Sequence, residues 1–93
     1  MKKSIVQENK ECFITGLTEP LHKHHIFFGA SRKKSDKLGL FVWLAPDLHN
    51  LSNRGVHFDR ELDLVVKRAG QHAFERTYGT REDFIREFGR NYL

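Results

Sequence analysis

Two apolar stretches separated by a polar one dominate the first half of the chain. Residues 21–28 end in Ile26-Phe27-Phe28, and residues 38–45 are the most apolar part of the sequence. Aromatic and β-branched residues favour strands, and glycines such as Gly29 punctuate them. Residues 31–37 between the two stretches carry four positive charges and one negative charge. The pattern predicts a β-hairpin whose strands are joined by a polar loop.

Three helices are predicted after the hairpin. Pro46 suits the first turn of a helix over residues 46–53, because its missing N–H needs no partner there. Asp59 is placed to cap a longer helix that runs to about residue 78, and residues 80–89 show a capping-box pattern at their start and a glycine at their end. The residues expected to face the core are Leu62, Val65, Val66, Ala69 and Ala73 in the long helix, and Phe84, Ile85 and Phe88 in the last.

The length of the chain sets the number of domains. Ninety-three residues make one small domain, in which a bound metal or a partner subunit could matter to stability. The predicted fold class is therefore α+β in a single domain, residues 1–93. Residues 1–10 are polar apart from Ile5 and Val6, and we expect a frayed arm or a short edge segment there.

Charge and composition narrow the functional classes. The chain has 16 Lys and Arg against 12 Asp and Glu, a net charge of +4 that suits polyanionic partners. No apolar run is long enough to cross a bilayer and no signal-peptide pattern is present, so we expect a cytoplasmic protein without a membrane partner. The single cysteine, Cys12, excludes an internal disulfide and a four-cysteine zinc site.

Histidines carry the chemistry that the sequence suggests. Three of the six lie within four positions, at His22, His24 and His25, and the others are His49, His57 and His72. Imidazole binds metals and exchanges protons near neutral pH. In an ideal strand His22 and His24 share one face and His25 points to the other, so a site that uses both His24 and His25 needs a twist or a bulge. His72 lies within a predicted helix, and we interpret it as a structural or surface residue.

The paired histidines lie on a predicted hairpin, and a helix with His49 and asparagines follows it. This arrangement resembles the ββα-metal or His-Me finger core of HNH endonucleases. The resemblance covers residues 11–57, which leaves residues 58–93 as a helical extension of two helices. His24-His25-Ile26 matches the paired motif of the family. The whole chain also resembles small phage and prophage HNH-type proteins of Gram-positive bacteria, including its closing residues 88–93.

The resemblance implies roles for individual residues. It makes His25 the general base, His24 and His49 ligands of one divalent metal ion, and His57 a candidate third ligand. Imidazole donors favour Zn, Ni, Co or Mn over Mg, but ligand type alone does not distinguish among Mg, Mn, Ni and Zn as the cofactor used in the cell. The middle Asn of the family has no direct match, since Gly39 and Leu40 occupy its place, and Asn50 or Asn53 is the catalytic candidate instead.

A structural zinc, common in the family, lacks its ligands in this chain. The matching positions are Cys12, Thr15, Ala45 and Leu48, so three of the four cysteines are replaced. We therefore expect no structural four-Cys zinc. The apolar residues at two of these positions indicate that packing takes over its role.

The basic residues around the hairpin are candidate phosphate contacts. Cations that grip the backbone position a nucleic acid without reading its sequence. The sequence therefore predicts DNA as partner, low sequence preference, and specificity supplied, if needed, by a phage or host protein; monomer and homodimer both stay open. An ordinary solvated loop explains most of the same charges equally well. The candidates are Lys23, Arg32, Lys33, Lys34 and Lys37.

Two other interpretations of the same residues stay open. A degenerate HNH fold would bind nucleic acid or a protein without cutting, which the missing zinc ligands and the unmatched Asn favour. In a structural or regulatory metal protein, the histidines would only stabilise the small core. No Gly-rich phosphate loop supports a nucleotide-binding class, and the chain is too short for a dinucleotide-binding fold.

Overall fold

The computed structural model describes residues 3–49 and 59–93. In chain order these residues form β1 (His22–His25), a 3-10 turn (Gly29–Ser31), α1 (Arg32–Lys37), β2 (Phe41–Leu44), α2 (Pro46–His49), α3 (Arg60–Thr77) and α4 (Arg81–Phe88). The fold class is α+β, as predicted, with a two-stranded antiparallel sheet. None of the helices in the described ranges combines the length and apolar character needed to cross a bilayer.

The two strands pair in the antiparallel arrangement that a hairpin requires. Their register sets His25 opposite Phe41, at the end of the sheet where the connecting segment begins and ends. Both strands are shorter than the predicted ranges 21–28 and 38–45. The sheet stops at His25 because the chain then turns away into the 3-10 turn and α1.

The segment between the strands is helical, so the prediction of a polar loop over residues 31–37 is wrong. This stretch contains no Gly or Pro, and its Lys and Arg residues are good helix formers. Ser35 is fully buried; its hydroxyl accepts a hydrogen bond from the Phe27 N–H (3.2 Å) and donates one to the Leu40 carbonyl. These bonds fasten α1 to the ends of both strands. Gly39, with a φ of 75°, turns the chain back into β2.

The two C-terminal helices begin and end where their capping residues predict. Asp59 accepts a hydrogen bond from the Leu62 N–H (3.1 Å) at the start of α3. Thr80 and Asp83 form a reciprocal capping box at the start of α4, and Gly89 ends that helix in the left-handed region. The helices predicted from Asp59 and Thr80 are thus confirmed. α2 begins at Pro46 as predicted, and the rest of its predicted range lies outside the described residues.

An aromatic cluster forms the part of the core that joins the sheet to the C-terminal helices. Phe84 of α4 is fully buried, and its ring centroid lies 5.3 Å from that of Phe27 and 5.4 Å from that of Phe74. Phe27 also contacts Phe88, with ring centroids 4.5 Å apart. Because Phe27 comes two residues after His25, this cluster anchors the segment that carries the histidines.

Two residues predicted to face the core are exposed instead. Val65 is 47% exposed and Ile85 is 39% exposed. The buried face of α3 turns Val65 away from the core. Its members recur at helical spacing and are Val66, Gly70, Gln71, Ala73 and Phe74. Gly70 packs so closely that an added Cβ would lie 3.0 Å from Ile26.

The N-terminal segment follows the outer edge of β2, so of the two alternatives for this region the edge segment is correct. The Ser4 hydroxyl donates a hydrogen bond to the Phe41 carbonyl, and the Gln7 side-chain oxygen accepts one from the Trp43 N–H (2.7 Å). Cys12 then forms a single parallel β-bridge with Trp43. The edge of β2 is therefore covered by side-chain and backbone hydrogen bonds.

Candidate histidine site

Strand β1 divides its side chains between two neighbouring helices. Alternation along the strand sends His22 and His24 to one face and Lys23 and His25 to the other. Residues of the first face contact His49 of α2, and residues of the second contact Asp36 of α1. The predicted sharing of a face by His22 and His24 agrees with these contacts.

Three imidazoles meet on the α2 side of the strand. The Nδ1 atoms of His22 and His49 lie 3.2 Å apart, and the ring centroids of these two residues are separated by 5.3 Å. The ring of His24, only 1% exposed, also lies 5.3 Å from the ring of His49. His49 therefore sits between two histidines of β1 because α2 starts directly after β2, at Pro46.

On the α1 side, a carboxylate holds His25. Asp36 Oδ1 accepts hydrogen bonds from Lys23 Nζ (2.6 Å) and from His25 Nε2 (3.1 Å). These hydrogen bonds, first that from Lys23 and then that from His25, lower the pKa of the Asp36 carboxyl below its usual range. An ionised carboxylate can only accept, so His25 Nε2 carries the proton in this contact and Nδ1 is left as the basic nitrogen.

Histidines from both faces line one cavity of about 450 Å³. His24 and His25 both line it, although they lie on opposite faces of β1 and the register of the strand is regular at these positions. His49 lines the same cavity from α2. Arg32, the first residue of α1, supplies positive charge at its wall, which Lys23 also lines while paired with Asp36.

The imidazole nitrogens of this site are donors that transition metals accept, but the described residues do not supply a complete set of ligands. Two nitrogens bound to one tetrahedral zinc at ~2.0–2.1 Å lie about 3.3 Å apart, close to the 3.2 Å between His22 Nδ1 and His49 Nδ1. Within residues 3–49 and 59–93, however, no group of three or more His, Cys, Asp or Glu is arranged to hold a metal ion. The candidate ligand His57 and the catalytic candidates Asn50 and Asn53 lie outside the described residues.

The five candidate phosphate contacts are divided between two regions. Lys23 and Arg32 line the histidine cavity. The other three, Lys33, Lys34 and Lys37, line a separate cavity between α1 and α4. The structure therefore does not bring all five together, and their role in binding DNA stays a prediction.

The positions that match the zinc cysteines of HNH proteins lie in or beside the core. Cys12, Ala45 and Leu48 belong to one buried cluster, and the Thr15 N–H lies 3.5 Å from Cys12 Sγ. Burial raises the pKa of the Cys12 thiol, but hydrogen bonds from Thr15 and Ala45 outweigh it and lower that pKa overall. His72, interpreted from the sequence as structural or surface, is exposed on α3.

Sequence reasoning missed the contacts made by two residues of this site. His22 could have been found, because strand alternation already put it beside His24. Asp36 could not, because it lay in a stretch interpreted as a solvated loop, and only the helical turn of α1 carries its carboxylate to β1. No protein-family model, curated protein or solved structure matches this chain.

Proposed function

We propose that this chain is a metal-dependent endonuclease of the HNH type, built on a ββα-metal core, that hydrolyses phosphodiester bonds in DNA with low intrinsic sequence specificity. The observation that carries the proposal is the single cavity lined by His24, His25 and His49. Two of these residues are the metal-ligand candidates of the HNH resemblance and the third is its base candidate. Their convergence from β1 and α2 supports the proposal.

The side chains around the cavity supply the groups that phosphodiester hydrolysis needs. His25 takes a proton from the attacking water at Nδ1, while Asp36 holds the protonated Nε2 and fixes the orientation of the ring. Arg32 attracts the phosphodiester to the cavity wall, where Lys23, itself paired with Asp36, is the further candidate contact. His24 and His49, with His57 as the expected third ligand, would hold a divalent cation, which would supply positive charge for the phosphate and the leaving oxygen.

A second candidate function is binding of nucleic acid or a protein partner by an HNH fold that no longer cuts. It is favoured by the replacement of three of the four zinc cysteines and by the lack of a direct match for the Asn of the family. A nuclease of this type needs the cation, whereas a binding module does not. Metal-dependent cleavage is therefore the property that separates the two.

The first test is a plasmid-nicking assay on the purified full chain with Mg, Mn, Ni or Zn supplied in turn. We expect nicking with at least one of these metals, and a loss of about 10²–10⁴-fold in the His25→Ala variant, the range that general acid–base catalysis contributes. His72→Ala is the matched control, because His72 is exposed on α3 and outside the set that lines the cavity. This variant should cut at the wild-type rate.

Circular dichroism of each variant shows whether it is folded, so that a loss of cleavage is not confused with unfolding. A folded wild-type chain that cuts DNA with none of the four metals would show the nuclease proposal to be wrong and leave the binding module. Equal loss in His25→Ala and His72→Ala would show that the cavity is not where cleavage occurs.

A further inference from the structure

A second cavity, of about 530 Å³, shares no lining residue with the histidine cavity. Lysines of α1 form one wall, Tyr78 at the end of α3 forms another, and charged residues of α4 form the third. Its volume falls within the ~300–1,000 Å³ typical of ligand sites. We call it the lysine–tyrosine cavity.

The charges of this cavity do not balance. Lys34 pairs with Glu87 (3.0 Å) and Arg86 pairs with Asp83 (2.9 Å), so both carboxylates of the wall are already neutralised. Lys33 and Lys37 form no ion pair with any residue in the described part of the chain. They are four positions apart, which puts both on the same side of α1. Two uncompensated positive charges therefore line the cavity, which suits an anionic ligand.

Tyr78 adds an aromatic surface that is both exposed and fixed. The residue is 47% exposed, yet its hydroxyl donates a hydrogen bond to the Leu38 carbonyl (2.6 Å). Its ring also contacts the buried ring of Phe74, with centroids 5.6 Å apart. A ring held in this way loses little freedom when a flat ligand stacks on it. Nucleobases stack on such rings with little dependence on sequence.

We infer that the lysine–tyrosine cavity binds a single-stranded stretch of nucleic acid, with a base on Tyr78 and adjacent phosphates at Lys33 and Lys37. The inference rests on the proposed function, because it specifies the form of the substrate. A duplex keeps its bases stacked inside and offers none to Tyr78. An acidic peptide would use the lysines but not the ring, so the observations favour the single strand.

Helix α1 connects this cavity to the histidine cavity. Its residue Arg32 lines the histidine cavity, whereas the neighbouring Lys33 lines the lysine–tyrosine cavity. A strand that crosses α1 thus meets cations at both ends of its path. The substrate form that follows is DNA with an unpaired strand next to the bond that is cut.

The test measures binding without cleavage. Fluorescence anisotropy of a labelled 12-nucleotide oligothymidine and of a 12-base-pair duplex is recorded with the full chain carrying His25→Ala, in buffer with a chelator. Adding Tyr78→Leu should weaken binding of the single strand about tenfold or more, the loss expected for one stacked base. Binding of the duplex should change less than about twofold, and Tyr78→Phe, which keeps the ring, should retain most of the affinity for the single strand.

A charge variant tests the phosphate contacts. Lys37→Gln should reduce the slope of log affinity against log salt for the single strand by about 0.7, the value of one lost phosphate contact. The matched control is Lys10→Gln, which removes the same charge from a side chain that lies 4.4 Å from the Trp43 ring in a different cavity. That control should leave the slope unchanged.

Three results would overturn the inference. One is a folded Tyr78→Leu chain that binds the single strand as tightly as its parent, and another is an equal loss of affinity for single strand and duplex. The third is displacement of the oligonucleotide by a polyglutamate peptide whose own binding is independent of Tyr78. Plasmid cleavage is measured separately on chains with His25 intact. If one of these three results is found and Tyr78→Leu still cuts plasmid at the wild-type rate, this inference is wrong and the nuclease proposal stands.

Discussion

The carboxylate of Asp36 is shared by two side chains that lie two positions apart on β1, Lys23 and His25. The residue is more than one-third exposed, so its effect on His25 comes from a directed hydrogen bond rather than from burial. In the proposed reaction Asp36 is a positioning residue. It keeps the proton on Nε2 and thereby keeps Nδ1 of His25 available for water.

Replacing the carboxylate tests this role. Asp36→Asn should lower plasmid nicking by roughly tenfold or more, because the neutral amide can donate to His25 and stabilise the wrong tautomer. The loss should not exceed the ~10²–10⁴-fold expected for His25→Ala, since Asp36 acts through that residue. Asp36→Glu, which keeps the charge, should recover part of the activity. Unchanged nicking by Asp36→Asn would contradict the positioning role.

The same carboxylate predicts how stability depends on pH. The hydrogen bonds from Lys23 and His25 put the pKa of Asp36 below 3.8 in the folded chain, so the group favours folding above its unfolded-state pKa. That contribution should be lost as the pH falls through the lowered pKa of the folded state. Urea midpoints measured from about pH 5 down to about pH 2 should therefore fall less for Asp36→Asn than for the wild type. A steeper fall in the variant would contradict the assignment.

Helix α1 depends on the turn that returns the chain to β2. At Gly39 the φ is 75°, and an added Cβ would lie 2.7 Å from the Lys3 carbonyl oxygen. Gly39→Ala therefore combines an unfavourable backbone conformation with a clash. Gly29 has a similar φ of 65° but nothing within 4 Å of an added Cβ.

These two glycines form a matched pair, which separates the cost of the left-handed backbone conformation from the cost of the clash with Lys3. Gly29→Ala should reduce the free energy of unfolding by about 1–2 kcal/mol, the cost of the left-handed conformation alone. Gly39→Ala should cost clearly more, because the Lys3 carbonyl belongs to a segment bonded to the same turn. Denaturant titration gives both values. Equal losses would mean that residues 3–5 move aside without cost.

The elements show which parts of this fold follow from local sequence. The long helix and the last helix were predictable, because Asp59 and Thr80 satisfy their own helix starts within three residues. The helical state of α1 was not, since its composition suits a solvated loop equally well, and the bonds that hold Ser35 come from Phe27 and Leu40. The candidate site divides in the same way. Strand alternation predicts that His22 and His24 share one face of β1, whereas the contact between Asp36 and His25 depends on how α1 packs.

At the scale of the whole molecule, the C-terminal helices hold the histidine segment in place. Phe84 contacts Phe27 and Phe74 and is fully buried, although it lies nearly sixty residues from β1 in sequence. A domain of this size has a small core, so the loss of one large ring is a major part of its stability.

Phe84→Ala should lower the free energy of unfolding by about 3–5 kcal/mol and lower the melting temperature with it. Ile85→Ala, at an adjacent position that is 39% exposed, should cost far less. Thermal melts followed by circular dichroism compare the two. A similar melting temperature for both variants would show that the aromatic cluster does not join the halves of the molecule.

The paired strands give the segment between them a further property. The Ile26 N–H donates to the Leu40 carbonyl (3.1 Å), so the points where the chain leaves and rejoins the sheet are immediate neighbours. Residues 29–39 thus form a closed segment that can be exchanged as a unit, provided that the buried hydroxyl of Ser35 and the carboxylate of Asp36 that bonds His25 are kept. Replacing the remaining residues of this segment would change its charge, while the histidines of β1 and α2 stay in their own elements.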